Sequence, residues 1–375
     1  MVRRGPGPAR VPQAPLRSLI AVVLVAAMAG FGFGVYHFLG NLRSQALNHK
    51  VRAPHNTQFS LPGTLVVEQG GALYRLQQGK FTQIANGGWM QPAVTPDHHN
   101  LVAVKRTANS SDLYELNLNG QVERQLTNDG SSTVELNHWA FYPNVSPDGG
   151  TIFYSWDEKD QNGQTFRVDL SVYAQPLGGS QSQADSWTVP NFYTGGDVQP
   201  VYVAGGGIIY SKYDITAQGQ HFSQLWLTTQ AMATGQALTA PEDDCSQPAV
   251  SPDGNKVAMI CTSGGQVARL EVASLTNGAL GTPAVVAQGT IANPAWGPDG
   301  KSLVYLSAVP PDGTFQLFYL NLAPPPAPTA KPAPTARSGK PATSPTAAAP
   351  PTPYPPKQLT LDNDFDATSA PVWFS

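Results

Sequence analysis

The chain has 375 residues, of which 41% are hydrophobic and 13% charged, with a formal net charge of -3. That apolar share can bury a core across two ordinary domains or one large repeat array. The near-neutral charge excludes the basic excess that nucleic-acid binding requires.

Residues 1–18 carry Arg3, Arg4, Arg10 and Arg17, and residues 19–39 contain no Asp, Glu, Lys or Arg. At about 1.5 Å per residue a helix of that length covers ~30 Å, the hydrocarbon thickness of a bilayer. The expected order is a cytoplasmic basic tail (1–18), a transmembrane signal anchor (19–39) and a tether (40–63). This makes a single-pass plasma-membrane protein with an extracytoplasmic body. A cleaved signal peptide is the competing reading, because Ala27–Ala29 satisfies the small-x-small cleavage rule. Both readings export the remainder.

The remainder repeats a phrase: "QPAVTPDHHNLVAV", "YPNVSPDGGTIFYS", "QPVYVAGGGIIYS", "QPAVSPDGNKVAMI", "NPAWGPDGKSLVYL" and finally "APVWF". Aligned on Pro92, Pro143, Pro200, Pro248, Pro294 and Pro371, the intervals are 51, 57, 48, 46 and 77 residues. A period of about 40 to 50 residues, with several short strands in each unit, indicates propeller blades. In the unit at Pro248, strand a is "PAV", strand b "KVAMIC" from Lys256, strand c "VARLEVA" from Val267 and strand d "AVVAQ" from Ala284. Between a and b, Ser-Pro-Asp-Gly suits a tight turn: Pro fixes φ, Asp bonds the backbone and Gly accepts positive φ. Strand b is apolar throughout because a neighbouring blade packs on each of its faces.

These phrases resemble the TolB-type, WD-repeat-like β-propeller repeat, whose "PxWSPDGxxIxF" signature is followed by a "LWxxxxxGxxxxLT" hairpin. The second part appears as "DLYELNLNGQVERQLT" from Asp112, "QLWLTTQAMATGQALT" from Gln224, and "QLFYLNL" with "KQLT" at Lys357. The resemblance covers 64–375 apart from a Pro-rich insert at 324–356. It implies an all-β, six-bladed propeller that works largely through protein partners in the cell envelope. The unit at Pro200 departs from the pattern, since "VAGGG" after Val203 lacks the Pro-Asp pair.

Thr64–Ala85 reads as strands b, c and d with no strand a before them. The missing strand is "APVWF" at the far end, so the C-terminal segment closes the ring and removes its open edges. The 77-residue interval contains the Pro-rich insert, which has too few large apolar side chains to pack and reads as an extended loop. It is an inert spacer or, through Lys331, Arg337 and Lys340, a contact for an anionic surface. In a propeller the ab and cd turns share one face and the bc and da loops the other. The tether is therefore expected to arrive on the ab face, leaving the bc face to look outward.

The outward loops carry Asp157, Glu158, Asp160, Asp197, Asp214, Glu242, Asp243, Asp244, Asp362, Asp364 and Asp366, offset mainly by Lys159 and Lys212. Such a field attracts cationic ligands or a basic protein partner; the alternative is a solvated polar rim. Asp362, Asp364 and Asp366 have the spacing that opens a calcium loop but lack its turn Gly and distal Glu, so no cofactor is expected, calcium being the alternative. Cys245 and Cys261 lie symmetrically about Asp253 in one ab hairpin, which predicts a disulfide.

No nucleophile elbow, H-E-x-x-H helix or P-loop occurs. Related propellers gate prolyl-oligopeptidase-type peptidases; the sequence ends where a hydrolase domain would begin, so peptidase activity is not expected. His98 and His99 fall in an ab turn; His138 and His221 fall near outward loops with no role assigned. The expected function is a membrane-anchored, extracytoplasmic protein-binding or scaffold module, not an enzyme. The alternative is a small-ligand or metal-binding sensor or enzyme that uses the funnel.

Overall fold

Alternation along the second strand of each unit builds the architecture. In strand b of the first blade, Leu65 and Val67 point to one neighbouring blade and Val66 to the other, and all three are buried. The computed structural model describes residues 52–157, 169–191, 193–263, 265–323 and 355–375. The expected anchor at 19–39 and most of the Pro-rich insert lie outside them. Among the described residues no helix is long and apolar enough to cross a membrane.

Six antiparallel sheets form the ring. From strand a outward, blade 1 consists of Val372–Phe374, Thr64–Gln69, Ala72–Gln77 and Lys80–Ala85. Blade 2 is Trp89–Val94, Asn100–Arg106, Ser111–Asn117 and Val122–Gln125, and blade 3 is Ala140–Val145, Thr151–Asp157, Leu170–Pro176 and Asp185–Ser186. Blade 4 is Asp197–Tyr202, Ile208–Ile215, His221–Thr228 and Gln236–Ala237. In blade 5, Cys245–Val250, Lys256–Cys261 and Ala268–Thr276 are followed by two outer partners, Ala279–Leu280 and Ala284–Gly289. Blade 6 is Ile291–Trp296, Ser302–Val309, Thr314–Asn321 and Lys357–Gln358.

The core is divided among the blade junctions. Each apolar cluster joins two adjacent blades: Leu65 and Val67 meet Leu306 and Leu317 of blade 6, while Val66 meets Leu101 and Ala103 of blade 2. Closure is antiparallel, with Thr64 opposite Phe374 and Val66 opposite Val372. Trp373 is 6% exposed and its indole N–H donates to the Pro62 carbonyl at 2.7 Å. Burying such a side chain stabilises the ring by roughly 1.5–3 kcal/mol, which links the C-terminus to the first blade.

The ab turns repeat one device. Asp97, Asp148, Asp253 and Asp299 each accept a Thr or Ser hydroxyl and a backbone N–H from two residues on. The hydroxyl first, then the N–H, hold the carboxyls of Asp97, Asp148 and Asp253 below the usual range. At Asp299 burial opposes this, and the Ser302 hydroxyl and backbone N–H bonds outweigh it. Gly254 and Gly300 take the positive φ of the turn, and His98 occupies it in blade 2 (φ 59°). Blade 4 uses a glycine run instead, with the Val203 N–H donating to the Gly207 carbonyl at 3.0 Å.

The disulfide joins Cys245 and Cys261, which are directly opposed in the ladder with Cα atoms 4.0 Å apart. The path of the tether differs from expectation. Arg52 lies at the bc end of blade 1, where its carbonyl accepts from the Gln69 side chain. From there the chain climbs the groove between blades 6 and 1: the His55 N–H donates to Asn363, Thr57 bonds Gly79 and Leu359, and Phe59 and Leu61 pack on the junction cluster. Residues 52–63 are part of the propeller, because Phe59 and Leu61 have an apolar groove to fill. The described chain thus begins on the bc face, and the expectation that this face lies opposite the tether is corrected.

Candidate functional site

The residue before each strand a proline is where sequence, strain and ring geometry meet. Gln91, Tyr142, Gln199, Gln247 and Asn293 all have φ between 50° and 56°, and each strand a shifts register there. A following proline disfavours helical backbone, so this left-handed conformation persists only where the surroundings enforce it. The enforcement is a belt of hydrogen bonds from blade to blade. The Tyr142 N–H donates to Gln91 Oε1 (2.8 Å), the Gln247 N–H to Gln199 Oε1 (3.2 Å) and the Asn293 N–H to Gln247 Oε1 (2.6 Å). Asn293 Nδ2 donates to the Ala367 carbonyl, and the Gln91 N–H to Ser369 Oγ, so the closing loop completes the circle. Tyr142 has no amide oxygen to offer, and Asn144 two residues on accepts the Tyr202 N–H in its place.

This belt encloses an axial cavity of about 90 Å³. A liquid water occupies about 30 Å³, so the space suits a few waters. Tyr142 lines it, its phenol pushed up to about 12 by burial, then by Tyr213 and Asp366.

Around the axis on the bc face, the acidic residues separate into three groups. Asp157 and Asp197 are fully buried and correct the expectation that they belong to an exposed rim. Asp157 accepts the Trp139 N–H at 2.8 Å and contacts His138 Nδ1 at 3.0 Å; Asp197 pairs with Lys212 at 3.0 Å. Burial raises the Asp197 carboxyl, with Lys212 and Thr188 opposing the shift. His138 stacks on Trp156 at 4.4 Å and its pKa is raised, chiefly by the hydrogen bond to Asp157. Half-buried Asp214, Asp244 and Asp366 serve local structure: Asp214 accepts the Ile215 N–H, Asp244 binds Ser223 and Thr262, and Asp366 binds Thr368. Glu242, Asp243, Asp362 and Asp364 are exposed and make no salt bridge among the described residues. Glu158 and Asp160, with Lys159, lie outside the described residues. No three His, Cys, Asp or Glu side chains are placed to share a metal ion among the described residues, so Asp362, Asp364 and Asp366 do not converge.

No protein-family model matches the chain, and no curated protein matches it. Among solved structures, TolB from Acinetobacter baumannii superposes with a TM-score of 0.57 at 14% identity, over 90% of this chain and 71% of that one. A protein assigned as TolB from Agrobacterium tumefaciens gives 0.47 at 15%, over 70% and 86% of the two chains. Oligogalacturonate lyase from Vibrio parahaemolyticus gives 0.45 at 13%, over 73% and 77%. The fold is a TolB-like six-bladed β-propeller.

Two features of this TolB-like ring go beyond the acidic positions read from the sequence. The belt has a visible signature, since Gln, Asn or Tyr precedes proline in strand a of five blades. Glu68 has none. At the end of an apolar strand it is 3% exposed, accepts the Gly71 N–H, and is pushed up to about 9 by burial first and the neighbouring Asp366 carboxylate second. It is therefore a neutral acid at pH 7, inside the loop that closes the ring.

Proposed function

We propose that this protein is a membrane-anchored, extracytoplasmic propeller whose bc face binds a protein partner of the cell envelope. The partner's contact surface is basic and apolar. One observation carries this reading: on that face, large apolar side chains stand exposed beside carboxylates that form no salt bridge among the described residues. Leu361 is 67% exposed next to Asp362, and Tyr193, Val267, Val134 and Leu136 stand out on neighbouring loops. Of the cations described on that face, Lys212 pairs with Asp197, Arg269 with Glu271, Arg106 lies over Trp139, and exposed Arg52 contacts His55. Apolar side chains among charges of one sign suit an interface with a partner of the opposite sign.

The TolB-like fold supports a protein-binding role, and the small axial cavity favours that role over chemistry in the funnel. The export reading of 19–39 supports the location. Capture from cross-linked envelope extract tests the proposal, comparing wild type with Glu242→Gln/Asp243→Asn and Asp362→Asn/Asp364→Asn. The expected result is a partner retained by wild type at low salt, lost at high salt and depleted by the variants. Equal recovery with all three chains would remove the role of this face.

A further inference from the structure

Blades 3 and 4 enclose a second cavity, of about 270 Å³, away from the axis. Blade 4 supplies its floor, where Tyr210 and Trp226 sit opposite each other across strands b and c with Lys212 two residues along the same face. Loop 188–191 from blade 3 makes one wall and the hairpin 232–235 the other. The hairpin is fixed across the junction by the Met232 N–H, which donates to the Trp187 carbonyl at 3.0 Å.

The polar groups lining this space include the donors of Trp226, Tyr210 and Lys212 beside the Thr188, Asn191 and Thr234 side chains, which can donate or accept. Trp226 Nε1 is buried with no hydrogen-bond partner. Tyr210 is 4% exposed, and its hydroxyl makes no hydrogen bond among the described residues. Lys212 Nζ donates to the Val189 carbonyl and to Asp197 Oδ1, both at 3.0 Å, which leaves one N–H. Buried donors without acceptors are rare in native structures, so the occupant must bring acceptors. It need not bring charge, because fully buried Asp197 already neutralises Lys212. An anion would find no net positive field, and a group that only donates, such as an ammonium, would leave the Trp226 N–H unpaired. The half-buried Trp226 indole offers flat apolar surface beside these donors, which suits a molecule with hydroxyls at its edge and C–H groups on its face. Drug-sized ligands occupy pockets of about 300–1,000 Å³, so this space admits one ring.

We propose that the cavity between blades 3 and 4 binds a single neutral sugar ring, free or at the end of a glycan, with Tyr210 and Trp226 donating to its oxygens. The site shares Lys212 and the 188–191 loop with the bc face, but none of the carboxylates varied above, and it does not rest on the function proposed there. The test uses the full chain in a sugar-free detergent. Free glucose, galactose and N-acetylglucosamine are titrated by saturation-transfer NMR, and the same sugars are presented on a glycan array. Saturable binding of a free sugar, or of an arrayed one alone, supports the site and distinguishes the two sources. Tyr210→Phe removes only the hydroxyl and is expected to weaken binding about five- to tenfold; Trp226→Phe, which also narrows the stacking surface, should abolish it. If either variant loses its fold, a diazirine-bearing sugar on the wild type should label 188–191 or 232–235. No binding to the wild type, undiminished binding in both folded variants, or labelling confined to other segments would overturn the proposal.

Discussion

The two faces of the ring use the same side chain in opposite ways. On the ab face, Asp97, Asp148, Asp253 and Asp299 repeat one turn, are ionised well below neutrality and make local bonds that differ little from blade to blade. On the bc face the acids differ in role: Glu68 is held neutral, Asp197 is charge-paired, Asp244 links blades 4 and 5, and Asp362 and Asp364 are exposed. The ab face carries instructions that every blade needs to form its hairpin. Loops on the bc face differ from blade to blade in length and sequence, and no repeat constraint holds them alike.

The sharpest way to break this comparison is to open the ring. Trp373→Ala should lower stability by about 3–5 kcal/mol, as a buried indole lost from a packed junction does, and should expose blades 1 and 6 together. Thermal unfolding reads the first effect and hydrogen exchange at Thr64–Gln69 the second. Unchanged protection there would mean that closure rests elsewhere.

Glu68 gives a smaller effect of opposite sign. Its carboxyl keeps a proton to about pH 9 in the fold but ionises above 4.5 when unfolded, so its contribution is intact below pH 4.5 and is lost progressively up to about 9. Glu68→Gln keeps the acceptor for Gly71 and cannot ionise. It should raise stability at pH 8 by about 1–3 kcal/mol and flatten the decline between pH 5 and pH 9 (about 1.4 kcal/mol per unit at most). A loss of stability at pH 8 would show that the carboxyl is ionised and wanted there.

The smallest effect belongs to the repeated turn. Asp253→Asn removes a carboxyl held below its usual range at an exposed site, and its stabilisation is present above the usual carboxylate range and lost as pH falls through it. The variant should lower Tm slightly at pH 7 and not at all at pH 2. An equal decrease at both values would assign the effect to geometry rather than charge.

Much of the ring was legible because its information is local and repeated. Strand b is apolar on both faces, the turn motif marks its start, and the orphaned "APVWF" points back to the first blade. The Cys245–Cys261 bridge was legible for the same reason, since residues equidistant from a hairpin centre oppose each other. The candidate site was only partly legible, because burial of an acid depends on what crosses over it. Asp157 opens a run of acids in the sequence, yet it is fully buried because the Trp139 N–H and His138 from an adjacent loop reach it. The path of 52–63 was hidden because its apolar residues, Phe59 and Leu61, are too few to show a period, although the groove between blades 6 and 1 accommodates both.

The role of the bc face is tested most directly by placing a photo-cross-linking residue at Leu361 and, in a second chain, at His98 on the ab face, and irradiating intact cells. A discrete protein adduct from position 361, weakened by Asp362→Asn/Asp364→Asn and absent from position 98, is the predicted outcome. Adducts from position 98 alone, or the same adducts from both positions, would contradict a partner surface on the bc face.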